Sequence, residues 1–116
     1  MLNTITIMGR LVRDPELRNA GQHKVVNFTL AVDRDYGGDA RETDFIDCCA
    51  WNAQADFVSK FFSKGRMAVV TGSLESSKWE DEDGNKRTSW RVNADHVYFG
   101  DSKKKDQKED PPKKIL

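Results

Sequence analysis

The chain has 116 residues, with 19 Lys and Arg against 19 Asp and Glu, so its formal net charge is zero. That balance excludes a simple polycation that coats nucleic acid by bulk charge. The length allows one domain with a real core and no second domain, and the composition, 37% apolar and 33% charged, is polar but not that of a wholly disordered chain.

The opening, MLNTITIMGR, has no basic segment ahead of a continuous apolar stretch, so no signal peptide is expected. Ile5, Ile7 and Leu11 alternate with Thr4, Thr6 and Arg10, which predicts a strand over 4–11. Gly9 interrupts the alternation, as a bulge or a close approach would. Asp14 and Pro15 end the strand, because proline cannot donate to a ladder. A second strand is predicted over 24–34, with Val26, Phe28, Leu30 and Val32 on one face. The polar stretch 35–42 reads as a hairpin loop.

The third strand is predicted over 43–51, with Phe45, Asp47, Cys49 and Trp51 on its odd face. Its adjacent Cys48 and Cys49 point to opposite faces, so neither a mutual disulfide nor a zinc set is expected. This cysteine usage fits a reduced, cytoplasmic protein. Over 52–65 the period changes to that of a helix of about ten residues. Asn52 is its expected cap, Ala53, Phe57 and Phe61 its stripe with Val58 and Phe62 flanking it, and Gly65 its C′ residue. A fourth strand follows over 67–77 with Gly72 inside it, then a hairpin tip over 80–85 and a fifth strand over 87–99. No apolar run approaches the roughly 18 residues that span a bilayer, so no membrane partner is expected.

The domain is expected to cover 1–100. Residues 101–116 hold six lysines against four acidic residues, a net of +2, which leaves −2 on 1–100. With Pro111 and Pro112 and no apolar residue before Ile115, this tail is expected to be disordered. Three strands, a helix and two strands are the order of an OB-fold: an all-β, five-stranded Greek-key barrel with a helix between strands three and four.

Catalytic chemistry finds little support. His23 and His96 are far apart, with no nucleophile and acid beside them. Asp81, Asp83 and Asn85 open like a calcium loop, but Lys86 and Val92 stand where glycine and glutamate are required. Asp14 and Glu16 flank a proline without further ligands. No catalytic residue, metal or cofactor is expected. The aromatic residues say more. Trp79 lies beside a charged hairpin tip, where exposure leaves much apolar area in water. Two readings stand on pattern alone. Phe45 and Trp51 belong to the core and Trp79 covers a barrel end, or these rings are stacking platforms flanked by Arg10, Arg13, Arg18, Lys78, Lys86 and Arg87.

The stretch IMGRLVRDPELR (7–18) resembles the opening of bacterial-type single-stranded DNA-binding proteins, the SSB family. The likeness continues in NFTLAVDR (27–34), TDFIDCCAW (43–51), FFSKG (61–65), VVTGSL (69–74) and DGNKR (83–87). It covers about residues 1–100 in order and with family spacing. The resemblance implies an OB-fold, usually a homotetramer, that binds single-stranded DNA without sequence preference in replication, recombination and repair. It implies stacking by Tyr36, Phe45, Trp51 and Trp79. It implies phosphate contacts by Arg10, Arg18, Lys78 and Arg87, with Arg13, Arg34, Arg41 and Lys86 as further candidates. The strand edges and residues 3–8 are candidate contacts between subunits. Trp90 has no family counterpart; it shares a face with Val92, as barrel or interface packing would.

The chain departs from the pattern at two places. Asp47 shares a face with Phe45 and Trp51, an anion that Arg10 or Arg41 would have to neutralise, so binding is expected to lean on stacking with a shallow salt dependence. The tail ends Pro111, Pro112, Lys113, Lys114, Ile115, Leu116, with lysines where family members carry acid. That argues against partner docking through this end, and the short form suggests a phage or accessory origin. The competing reading is an OB-fold interaction module of a replication-restart or scaffold complex, which would keep the barrel but lose the aromatic path.

Overall fold

The computed structural model describes residues 1–101; the expectations for the tail beyond Asp101 lie outside the described residues. Six strands form: β1 (Ile5–Leu11), β2 (Glu16–Ala20), β3 (His23–Asp33), β4 (Thr43–Trp51), β5 (Met67–Glu80) and β6 (Lys86–Phe99). One helix, α1 (Ala53–Phe61), joins β4 to β5, and a 3₁₀ turn, Gly38–Ala40, lies in the β3–β4 loop. The sheet order is β1-β5-β6-β4-β3-β2, and β1 also pairs with β3. Five strands therefore close into a ring, the OB-fold barrel that the element order predicts.

The sixth strand is an addition to that expectation. Glu16–Ala20 turns back at Gly21 and Gln22 and pairs antiparallel along the edge of β3. Its sequence, ELRNA, has two apolar residues, Leu17 and Ala20, at no strand period, and every side chain is exposed, so it carries no alternation to read.

Interior glycines allow the ring to close. A Cβ on Gly9 would sit 2.5 Å from the carbonyl oxygen of Ala31, where β1 crosses β3. A Cβ on Gly72 would overlap the Asn93 carbonyl, beside the register shift between Thr71 and Gly72. Backbone can approach this closely only where no side chain intervenes.

The core runs through the barrel from Leu11 and Val70 to Val26, Leu30 and Val92. Burying each such side chain is worth about 1.5–3 kcal/mol. The helix plugs one end of it, but more by the flanks of the stripe expected from the sequence than by the stripe itself. Ala55 and Val58 are the helical residues buried in the core, with Phe62 just beyond, and Phe57 packs against it half-buried. Phe57 and Phe61 turn toward Phe99 at the end of β6, with ring centroids 5.4 and 6.4 Å away. Phe99 thus supplies a second apolar surface and divides the helix's apolar residues between two contacts.

The helix ends also differ from expectation. Asn52 precedes the helix but makes no side-chain cap; with φ of 53°, its Oδ1 instead accepts the Lys24 N–H at 3.1 Å. The helix stops at Phe61, before Gly65, whose N–H donates to the Leu11 carbonyl at 2.8 Å. At the end of β6, Asp101 accepts from Arg66 Nε at 2.8 Å, and the guanidinium lies 4.5 Å over the Phe99 ring.

Both cysteines are buried and free. Cys48 joins the core, and burial pushes its thiol up to about 12. Cys49 points the other way, against Asn93 Oδ1 at 3.7 Å, and burial raises it as well. A thiol held protonated and covered is a poor nucleophile. Iodoacetamide at pH 8 is expected to label neither cysteine in the folded protein and both after unfolding, as mass spectrometry would read.

Candidate nucleic-acid interface

Paired residues on antiparallel strands point to the same side of a sheet. That rule assembles the outer wall. Arg10 of β1 and Phe45 of β4 both stand opposite Ala31 of β3. Arg18 of β2 and Trp51 of β4 both stand opposite Val25. The wall therefore carries two rows, each with an aromatic ring and an arginine across a small or apolar residue of β3. The rings are six residues apart on one strand, about 20 Å. The unpredicted strand β2 is what carries Arg18 into its row.

Between the rows lies Asp47, opposite Thr29. Its Oδ1 accepts the Thr29 hydroxyl at 2.8 Å, and Arg13 Nη2 reaches the same hydroxyl at 3.4 Å. Neither Arg10 nor Arg41 makes that contact. Arg13 is the cation the fold brings to Asp47, through a threonine whose role needs the cross-strand register to be seen.

Beyond the barrel, β5 and β6 continue as a two-stranded ribbon. Register places Trp79 opposite Arg87 and Glu75 opposite Arg91, on the face that continues from Asn93 and Cys49. Trp79 Nε1 donates to Ser89 Oγ at 2.9 Å, which fixes the ring's orientation. Lys78 and Lys86 lie on the opposite face, with Trp90. Tyr36 sits in the β3–β4 loop, beside a hollow of about 570 Å³ that Arg10 and Ala31 also line. Arg10 thus borders both Tyr36's hollow and Phe45's row.

The four predicted rings are all on the surface: Tyr36 is 70% exposed, Phe45 67%, Trp79 48% and Trp51 37%. None belongs to the core, which removes the packing reading for Phe45 and Trp51. His23 meets Trp51 edge-on at 6.5 Å and flanks the ring without covering it.

The cations divide into engaged and open ones. Arg34 grips Asp44 through Nε and Nη2 at 3.1 and 3.0 Å, with Glu42 at 3.4 Å. Hydrogen bonding and charge between them raise the Arg34 pKa and lower that of Asp44. Arg87 pairs with Asp81 at 3.0 Å. Asp81 also accepts the N–H groups of Asp83 and Asn85, and these bonds, that of Asn85 first, hold its carboxyl below the ordinary range. Arg10, Arg18, Arg41, Lys78 and Lys86 have no acidic partner among the described residues. Arg91, not singled out from the sequence, shares the outer ribbon face with Arg87; strand parity alone could have found it.

An OB-fold barrel with exposed rings and open arginines in register defines a binding module for an extended, flat-faced polymer. The model of the Single-strand binding protein family matches residues 2–100, and the chain belongs to that family. It is 38% identical over 107 residues to single-stranded DNA-binding protein 1 of Lactococcus lactis, covering 90% of this chain and 71% of that one. It is 40% identical over 102 residues to single-stranded DNA-binding protein A of Bacillus subtilis, covering 85% of this chain and 59% of the relative. Single-stranded DNA-binding protein 1 of Staphylococcus aureus is 39% identical over 110 residues, 92% of this chain and 66% of the other. The chain thus spans about three fifths of the Bacillus protein's length.

Proposed function

We infer that the chain binds single-stranded DNA without a fixed recognition sequence and turns over no substrate. Covering the strand would protect it in replication, recombination or repair. The observation that carries this reading is the pair of rows Arg10–Ala31–Phe45 and Arg18–Val25–Trp51 on one wall. A ring takes a base face of any identity, and the arginine beside it takes the adjoining phosphate. Duplex DNA hides its base faces and should compete poorly. Fluorescence anisotropy with a labelled oligo-dT and its duplex tests this: tight binding to the single strand alone is expected, and equal binding to both would overturn it.

The contacts of the cations differ in kind. Each neutralised phosphate on a single strand contributes about −0.7 to the slope of log affinity against log salt. Arg10→Ala and Arg18→Ala should each flatten that slope by about 0.7. Arg34→Ala should leave it unchanged, because Arg34 is already held by Asp44 and Glu42. A salt titration of each variant reads the difference.

The chain is proposed to act as a homotetramer in the reducing cytosol, which two free, buried cysteines fit. No helix among the described residues is long and apolar enough to cross a membrane. A wall the aromatic path does not use supports assembly: Met8, Val69 and Tyr98 stand in one row across β1, β5 and β6, with Met8 and Tyr98 exposed. Sedimentation equilibrium should give four times the chain mass; a monomer would contradict it.

A further inference from the structure

The row of Arg18, Val25 and Trp51 lies at the end of the wall, because β4 stops at Trp51. His23 stands two residues before Val25 on β3, on the same side, opposite Ala20 of β2. Its ring is exposed and meets the indole of Trp51 edge-on at 6.5 Å.

The bonds of Asn52 fix the state of that ring. The Asn52 N–H donates to the Lys24 carbonyl at 2.8 Å, extending the contact of β3 and β4 by one residue. With φ of 53° the chain then turns into α1, and the Asn52 carbonyl accepts from the Asp56 N–H at 3.0 Å. The side-chain Oδ1 serves the Lys24 N–H in its place, at 3.1 Å. A backbone N–H only donates, so the amide oxygen faces Lys24 and the amide nitrogen faces the ring. That nitrogen, Nδ2, lies 3.3 Å from His23 Nδ1. Nδ2 can only donate, so Nδ1 accepts and the ring's own proton is on Nε2. Among the described residues nothing accepts from Nε2.

We propose that His23 is a further contact of the strand, its Nε2–H donating to a phosphate beside the base stacked on Trp51, with Asn52 as the residue that positions the ring. The proposal deepens the single-strand reading and rests on it. Arg18 stands across Val25 from the indole and His23 beyond it along β3, so the two serve successive phosphates. The charged groups around His23 are Arg18 on the same wall and, on the other side of β3, Lys24 paired with Asp56 of α1 at 3.3 Å; β4 adds none there. None of these is an unpaired anion, and the phosphate would be the first. A proton on Nδ1 ends the Asn52 bond, but a charge-assisted bond to phosphate is roughly twice as strong as the neutral one given up. Binding should therefore take up a proton and tighten as the pH falls through the range where imidazoles titrate.

The full chain, His23→Ala, His23→Gln and Asn52→Gly are to be titrated with oligo-dT at pH 8 and pH 5.5, where thymine does not ionise. The unaltered chain should bind about fivefold tighter at pH 5.5, and both His23 variants should lose that gain. At pH 8, His23→Ala should weaken binding by about fivefold, while His23→Gln, which keeps a donor, should retain most of it. Asn52→Gly tolerates the left-handed backbone without the side chain and should weaken binding at pH 8 while keeping the gain at pH 5.5. Binding by His23→Ala that matched the unaltered chain at both pH values would overturn the proposal, as would a pH gain that persisted in that variant. Undiminished binding by Asn52→Gly at pH 8 would remove the positioning role. If the unaltered chain bound oligo-dT at neither pH, the single-strand reading itself would fail, an outcome distinct from these.

Discussion

Trp51→Ala and Trp79→Ala are each expected to weaken binding to an oligo-dT by about 1–3 kcal/mol, roughly five- to 150-fold. Both rings are on the surface, so the loss should come without loss of fold. Trp51 stands in a row with Arg18 on the barrel wall, and Trp79 lies out on the ribbon with its indole N–H held by Ser89. The two share no contact, so the effects should add. The size of the effect follows from how the site divides its work. Two of the candidate cations, Arg34 and Arg87, already have carboxylate partners, and Asp47 lies between the aromatic rows. Five candidate cations stay open, which limits the salt slope to about −3.5 per chain. Affinity then rests on ring faces. Wild-type affinity that collapsed with salt, with both variants binding normally, would reverse that division.

Gly72→Ala is expected to destabilise the fold by about 3 kcal/mol, the upper end of overpacking effects. The added methyl would overlap the Asn93 carbonyl, which is backbone in a paired strand and cannot rotate away. The position also sits at the register shift where β5 bends between its β1-paired half and the ribbon. For a domain near a hundred residues this corresponds to a fall in melting temperature on the order of 10–20 °C. Urea unfolding with an unchanged m-value reads it directly; a loss below about 1 kcal/mol would mean that the strands can separate cheaply there.

What was legible in the sequence, and what was not, follows from where the information lies. Strand period shows which residues share a face. It set Phe45 and Trp51 together, and it set Trp90 with Val92. Element order revealed the barrel. Strand β2 escaped because its pairing is to the backbone of β3 and none of its side chains is buried. The fully buried helix face centres on 55, 58 and 62, the last two being the expected flanks, because Phe99, remote in sequence, offers Phe57 and Phe61 another partner. Periodicity counts apolar residues but does not say which surface each one finds. The neutralising partner of Asp47 was misplaced for a related reason. Arg13 reaches it through Thr29, and that link exists only once β3 and β4 are in register. Which arginines remain open to a ligand likewise depends on loop geometry, since Arg34 and Asp44 are ten residues apart with a turn between them.

Binding here depends on bases stacking against exposed rings. Of the three exposed tryptophans, Trp51 and Trp79 lie along the proposed path and report on that contact. The direct measurement is intrinsic tryptophan fluorescence of the full chain titrated with poly-dT in moderate salt. Strong quenching that saturates at a defined ratio of nucleotides to protein is the predicted result. Fluorescence unchanged at saturating DNA would contradict it.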